Sequence, residues 1–149
     1  MYLNMVFILK FIDIGEGATV DGLRLNKNVI ITDDLSKVET FVSVGKNGRV
    51  MNLDAECNEV HTPESYYEKL SYERADLFTK FKECELEIAS IKNQVMQSKI
   101  KSKIQEIKAL PIDVNNEFDF KRKLRELKDL SKQVGIGVVT NVISSYLGY

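Results

Sequence analysis

Apolar and polar residues alternate in the first sixty residues, which is the pattern of strands that bury one face. Five short segments carry it: Val6–Ile12, Thr19–Leu25, Asn28–Thr32, Val38–Val44 and Met51–Cys57. The Asn47-Gly48 step between the last two is typical of a tight hairpin, because both residue types tolerate positive φ. Short strands joined by turns predict an antiparallel β-meander, and one face of that meander needs a cover.

A long helix is predicted to follow directly. Thr62 is a good N-cap and Pro63 suits the first helical position, and no further proline or glycine occurs before Pro111. Residues spaced by alternating steps of three and four form one stripe with heptad character. That stripe comprises Tyr67, Leu70, Arg74, Leu77, Phe81, Cys84, Ile88, Ile91 and Val95. The apolar phase changes after Val95, which indicates a skip or a break near residues 93–98.

One or two further helices are predicted at the C-terminus. Residues 117–134 have an apolar helical stripe that ends at Gly135, a good residue for terminating a helix. Apolar pairs recur every four residues over 136–147, which favours a helix there, with a final strand as the alternative. The fold class is therefore α+β: a β-rich head over residues 1–62 and a helical region over 63–149 that packs on the sheet, within one domain or two. No internal sequence repeat is evident.

Charge and composition change this picture only locally. The 149 residues include 21 basic and 22 acidic side chains, so the net charge of −1 excludes a whole-chain polyanion binder. Residues 1–62 carry a net charge of −3 and residues 63–149 a net charge of +2. Two isolated cysteines indicate reduced thiols, and no apolar run reaches the length of a membrane span. We therefore expect a cytoplasmic protein with no membrane partner.

The heptad stripe suggests self-association. An intermolecular coiled coil through its apolar members would build a homo-oligomer, whereas packing within the chain would bury the same side chains intramolecularly. The residues expected at the oligomer interface are Leu70, Leu77, Phe81, Cys84, Ile88, Ile91 and Val95.

A basic stripe suggests a second kind of site. Four cations lie at steps of four, three and four on the 117–134 helix: Lys121, Arg125, Lys128 and Lys132. Such an array can contact phosphates, and Arg74, Tyr66 and Tyr67 could add a guanidinium and stacking rings. The competing interpretations are a solvated helix face and, for the tyrosines, a seam between helix and sheet. We do not favour nucleic acid at this stage, because no recognised nucleic-acid motif accompanies the stripe.

Catalytic residues are scarce. His61 is the single histidine, and neither Cys57 nor Cys84 has an activating context in the sequence. One histidine with nearby carboxylates does not form a dedicated zinc pattern. We therefore predict no enzyme activity, no metal and no cofactor.

The sequence thus predicts a non-enzymatic, self-associating protein that acts stoichiometrically on a protein partner, as an inhibitor from a virus or mobile element would. The alternative is a protein that binds a small phosphorylated ligand or a nucleic acid through the basic stripe. In broad plan only, a short N-terminal sheet before long helices resembles some phage-encoded counter-defence proteins. That resemblance implies oligomerisation and sequestration of signalling nucleotides, and it assigns no residue.

Overall fold

A computed structural model describes residues 9–149 of the chain. The chain divides into two compact units, Met1–Tyr66 and Tyr67–Tyr149. Composition changes between residues 62 and 63, and the division between the units falls four residues later, within the first helix. The N-terminus of that helix is therefore grouped with the first unit.

Over its described residues, the first unit contains eight short strands in two successive sets of four. They are β1 (Leu9–Ile14), β2 (Thr19–Asp21), β3 (Arg24–Asn26), β4 (Val29–Ile31), β5 (Val38–Val44), β6 (Arg49–Met51), β7 (Asp54–Glu56) and β8 (Glu59–His61). Each strand of the first set pairs in parallel with its counterpart in the second set: β1 with β5, β2 with β6, β3 with β7 and β4 with β8. The partners lie thirty residues apart over most of this register. The unit is therefore a parallel β-solenoid of two coils.

A five-residue period builds the last three strands of each coil. There, strands of three residues alternate with two-residue corners, and the middle residues of β3 and β4, Leu25 and Ile30, are buried at 5% and 7% exposure. Corner residues adopt positive φ at matching positions of the two coils: Gly17 with Asn47, Gly22 with Asn52 and Lys27 with Cys57. Positive φ turns the chain between strands without reversing it, so each corner leads into the next side of the coil.

The predicted antiparallel meander is therefore wrong. Asn47-Gly48 is a solenoid corner, and the strand after it pairs with residues thirty positions earlier. Two predicted strands are each divided by a positive-φ corner, Thr19–Leu25 at Gly22 and Met51–Cys57 at Asn52. The predicted first strand begins at residue 6, and its residues 6–8 lie outside the described part of the chain.

The helices are α1 (Pro63–Glu83), α2 (Glu85–Ala89), α3 (Gln94–Lys108), α4 (Val114–Gln133) and α5 (Gly137–Leu147). The predicted long helix is interrupted at Cys84 and again over residues 90–93. Asn93 caps α3 by accepting hydrogen bonds from the backbone N–H groups of Val95 and Met96. This break lies slightly before the predicted region, and residues 137–147 are helical as the sequence favoured.

The second unit has one hydrophobic core to which helices α1 to α5 all contribute. Its buried members are Leu77, Phe81, Cys84, Ile88, Ile100, Ile104, Ile107, Phe120, Leu124, Leu127, Ile136, Val139 and Ile143. Most of the heptad stripe is thus used inside the chain, since Leu77, Phe81, Cys84 and Ile88 pack against α3, α4 and α5 residues of the same core. The sequence pattern that predicted an interface is fully compatible with this intramolecular packing.

Candidate functional site

Helix α4 presents two very different faces. Asp113 caps its start by accepting a 2.9 Å hydrogen bond from the backbone N–H of Asn116. Gly135 ends it at φ +75°, with the N–H of Ile136 donating to the carbonyl of Ser131 at 3.1 Å. Phe120, Leu124 and Leu127 are fully buried on the inner face. The predicted cations Lys121, Arg125, Lys128 and Lys132 lie on the outer face, with Lys128 half-buried and the others exposed.

We call these four residues the basic face of α4. Lys121 is partly neutralised, because its Nζ lies 3.7 Å from Oε1 of Glu117. Lys128 Nζ lies 4.4 Å from the ring centroid of Tyr149, a cation–π contact. Within residues 9–149, Arg125, Lys128 and Lys132 form no ion pair. Three of the four positive charges are therefore available to an external anion.

Two exposed aromatic rings lie along this face, one before Lys121 and the other over Lys128. Phe118 continues the same helical line toward the N-terminus and is 76% exposed, and Tyr149 over Lys128 is also 76% exposed. The sequence patterns described above assign no role to Phe118 or Tyr149. The position of Phe118 could have been inferred from the sequence, because a residue three positions before Lys121 lies on the same side of a helix. The Tyr149 contact depends on where the C-terminus passes α4, which no local pattern reports.

Three other cations of α3 and α4 are paired with carboxylates: Lys103, Arg122 and Lys123. Lys103 Nζ contacts Glu126 at 3.0 Å and Glu106 at 3.3 Å, and Lys123 Nζ contacts Glu106 at 3.2 Å. Arg122 pairs with Asp119 and, at 3.8 Å, with Glu126. The hydrogen bond from Lys103 lowers the pKa of Glu126, and that from Lys123 is the main cause of the lowered pKa of Glu106. These side chains link α3 to α4 and contribute little net positive charge.

Arg74 is unsuited to bind a ligand. It is 1% exposed, its guanidinium lies 3.9 Å above the Phe120 ring, and it contacts Glu117 at 3.1 Å. It also donates to the carbonyls of Leu110 and Pro111 at 3.2 and 3.1 Å. The polar exception in the heptad stripe thus joins α1 to the segment between α3 and α4, inside the helical unit.

The two predicted stacking tyrosines have different environments. Tyr66 is 9% exposed and its ring centroid lies 5.5 Å from that of His61, within the first unit. Tyr67 is 54% exposed. No recorded contact joins Tyr67 to the basic face of α4.

The residues expected at an oligomer interface are mostly covered within the chain. Leu70, Leu77, Phe81, Cys84 and Ile88 are at most 3% exposed, and Ile91 packs against the core, whereas Val95 is 65% exposed. Burial also raises the pKa of the Cys84 thiol, which keeps it protonated. Association through Leu77, Phe81, Cys84 or Ile88 would require the helical core to open.

His61 has local partners. Its Nε2 lies 2.6 Å from Oε2 of Glu59 and its Nδ1 lies 3.2 Å from Oγ of Ser65, next to the Thr62 cap of α1. Among residues 9–149, no group of three or more His, Cys, Asp or Glu side chains could hold a metal ion. In the same residues, no helix is long and apolar enough to cross a membrane.

A cleft of about 620 Å³ lies in the helical unit between the α2–α3 connection and the α4–α5 turn. Its principal carboxylate is already engaged, because Glu87 accepts hydrogen bonds from the N–H groups of Val138 and Val139, both at 3.1 Å. The Glu87 side chain thus supplies the cap that Ile136 does not provide to α5. We assign this acid a structural role.

Comparison with known proteins gives no relative: no protein-family profile matches the chain, and neither the curated proteins nor the solved structures contain a match.

Proposed function

We propose that the protein is a non-enzymatic binding protein that holds a single-stranded nucleic acid on the basic face of α4. The observation that carries this proposal is the row of three cations without carboxylate partners, together with two exposed rings on the same side of α4: Phe118, one turn before Lys121, and Tyr149, over Lys128. Lysine and arginine contact phosphates, and exposed rings stack on unpaired bases. The sequence alone does not favour nucleic-acid binding. The exposure of the Phe118 and Tyr149 rings is the observation that favours it.

The length of the site favours a strand over a mononucleotide. Lys121 and Lys132 are eleven residues apart, which places them about 16 Å apart along the helix axis. A row of that length spans several consecutive phosphates, whereas a single nucleotide would contact one end of it.

A protein partner bound through the heptad stripe is less well supported. The side chains that would have formed that interface are already packed in the core of the helical unit. One observation also favours binding over cysteine catalysis: burial of Cys84 keeps its thiol protonated.

Fluorescence anisotropy with a labelled oligothymidylate tests the proposal. We expect binding at low salt, with log K falling as log[salt] rises by about 0.7 for each phosphate contacted. Three or four contacts therefore predict a slope of about −2 to −3. A duplex of the same length is expected to bind more weakly, because its bases are not available for stacking.

Matched variants make the test specific to this face. Arg125→Glu with Lys132→Glu should weaken binding at least tenfold, whereas Lys101→Glu with Lys99→Glu changes the charge equally on α3 and should have a much smaller effect. Phe118→Ala and Tyr149→Ala should each cost about 1–3 kcal/mol of binding free energy if the rings stack on bases. Equal loss in both charge-reversed pairs, or no binding by the unmodified protein, would refute the proposal. Equal affinity for a mononucleotide would instead favour nucleotide sequestration.

A further inference from the structure

The β-solenoid unit ends at unpaired strand edges. Each described strand has a single hydrogen-bonded neighbour, in the other coil, so the outer edge of the first coil and that of the second coil have no partner within residues 9–149. An unpaired edge presents a row of backbone N–H and C=O groups that favours pairing with another chain. Solenoids are stabilised by stacking of neighbouring repeats, and two coils give each coil one neighbour.

The interior is more open at the second coil. In the first coil Ile14, Leu25 and Ile30 are buried, but in the second coil Val44 is 45% exposed and Ala55 is exposed. Leu53 near the same end is 50% exposed. The second coil therefore presents apolar side chains and backbone polar groups together, which is the surface that a further coil would cover.

The thirty-residue register between paired strands indicates which segment fits on the open side of the second coil. Thirty residues separate most paired positions, and no register pair in the described strands joins like charges, while Arg24 lies beside Asp54. The corners match in conformation as well, as with Gly22 and Asn52. At another corner Asn28 Nδ2 donates to Asn58 Oδ1 at 2.9 Å, a ladder that a third coil with the same residues would extend. The first coil of a second copy has these properties.

We propose that copies of this chain stack head to tail, with the first coil of one copy pairing in parallel with the second coil of the next. In this register Arg24 of one copy lies beside Asp54 of the other, as it does within one chain. A two-fold arrangement that joins two second coils would instead bring Asp54, Glu56 and Glu59 of both copies to one edge, which is unfavourable. Head-to-tail contacts of this kind build open assemblies rather than closed dimers.

Cysteine cross-linking tests both the contact and its direction. Cys57 is exposed and in register with Lys27, whereas Cys84 is buried. Unmodified protein is mixed with an affinity-tagged Lys27→Cys, Cys57→Ser variant and oxidised mildly, after circular dichroism has shown that the variant is folded. We expect a mixed disulfide dimer between Cys57 of one copy and the cysteine introduced at position 27 of the other, because adjacent coils place Cα atoms within disulfide reach. A tagged Lys92→Cys, Cys57→Ser variant is the control, since Lys92 lies in the helical unit.

Dimers joined only through two Cys57 residues would overturn the head-to-tail direction, and mixed dimers no more abundant than with the control would overturn the contact. Sedimentation velocity gives an independent test without cross-linking. Ala55→Lys adds a charge at the open interior and should weaken association at least tenfold, whereas Met51→Lys adds the same charge beside Asp21 and should not. Association of the Ala55→Lys variant at the unmodified level, or an unmodified chain that stays monomeric at every concentration, would also overturn the proposal.

Discussion

The two units of this chain form their backbone hydrogen bonds and bury their apolar side chains in different ways. The helical unit forms its hydrogen bonds within each helix and buries thirteen hydrophobic residues in one core. In the β-solenoid unit every hydrogen-bonded strand pairing is made to a segment about thirty residues away, and each described strand has one neighbour. The helical unit is therefore complete within one chain, while the solenoid retains edges that another coil can extend.

This difference separates self-association from packing within the chain, two properties that the heptad stripe alone does not distinguish. The heptad stripe predicts that the helices associate and that they cover the sheet. Four stripe residues, Leu77, Phe81, Cys84 and Ile88, lie in the core of the helical unit, and unpaired hydrogen-bonding groups occur at the solenoid edges of the described chain. Self-association remains a proposal, and its expected location has moved from the helices to the strands.

The largest effect is expected from the buried cation of the helical unit. Arg74→Met leaves the buried Glu117 with only the 3.7 Å contact to Lys121 and removes the donors to two backbone carbonyls, so the unfolding free energy should fall by about 3–5 kcal/mol. Urea unfolding followed by circular dichroism measures it. Arg125→Met, at an exposed site, is the control and should change stability by less than about 0.5 kcal/mol. Adding Glu117→Gln to Arg74→Met should restore part of the loss; two equally small effects would contradict the structural role of Arg74.

A smaller effect is expected from close approach between the solenoid coils. A Cβ on Gly45 would lie 2.8 Å from the backbone nitrogen of Glu16, so Gly45→Ala should destabilise the solenoid by about 1–3 kcal/mol. Gly22 and Gly135 have positive φ and open space, and alanine there should cost about 1–2 kcal/mol through the backbone alone. Thermal unfolding of the three variants should rank Gly45→Ala as the most damaging. A Gly45→Ala variant as stable as the unmodified protein would contradict the described packing of the corners.

A stabilising substitution is expected at another corner. Cys57 adopts φ +52° although glycine or asparagine suits that region better, and its side chain is exposed. Cys57→Gly should therefore raise the unfolding free energy of the solenoid by up to about 1 kcal/mol. Cys57→Ser is the matched control because serine removes the thiol and keeps the strain. Equal stability of the two variants would argue against a strained corner.

The smallest effect concerns the ion pairs between α3 and α4. Partner lysines lower the pKa values of Glu106 and Glu126 below their ordinary value of 4.5. Carboxylates with lowered folded-state pKa values contribute stability above their unfolded pKa, and this contribution is lost as pH falls through the folded pKa. Lys103→Gln should thus lower the urea midpoint slightly at neutral pH and leave it unchanged in strong acid. A deficit that persists in acid would show that the lysine stem, rather than its charge, stabilises the unit.

The helical unit is predictable from the sequence because its signals are local. The three-and-four spacing of apolar residues, the Thr62 and Gly135 termini and the four-residue repeat after residue 136 all act within a few turns. The outward position of Lys121, Arg125, Lys128 and Lys132 follows from the same periodicity. Which of these cations lack partners is not predictable, because it depends on side chains supplied by other segments, such as Tyr149 beside Lys128.

The solenoid is mispredicted because its decisive contacts are non-local. Alternation within a strand is the same whether the neighbour is antiparallel and adjacent or parallel and thirty residues away. The interior residues Val20, Leu25 and Ile30 do recur every five positions, and Val50, Ala55 and Val60 repeat them in the second coil. The five-residue spacing and its repetition thirty residues later are both present in the sequence. Interpreting Asn47-Gly48 as a hairpin turn leads instead to antiparallel pairing of neighbouring strands.

Amide hydrogen exchange of the whole chain at several protein concentrations tests the central comparison most directly. If the solenoid is completed by a second copy, protection of residues 49–61 should increase with concentration while that of α4 stays constant. Exchange in residues 49–61 that is independent of concentration over a range in which the protein stays folded would contradict the account. An increase confined to the helices would contradict it equally, because it would return the interface to the heptad stripe.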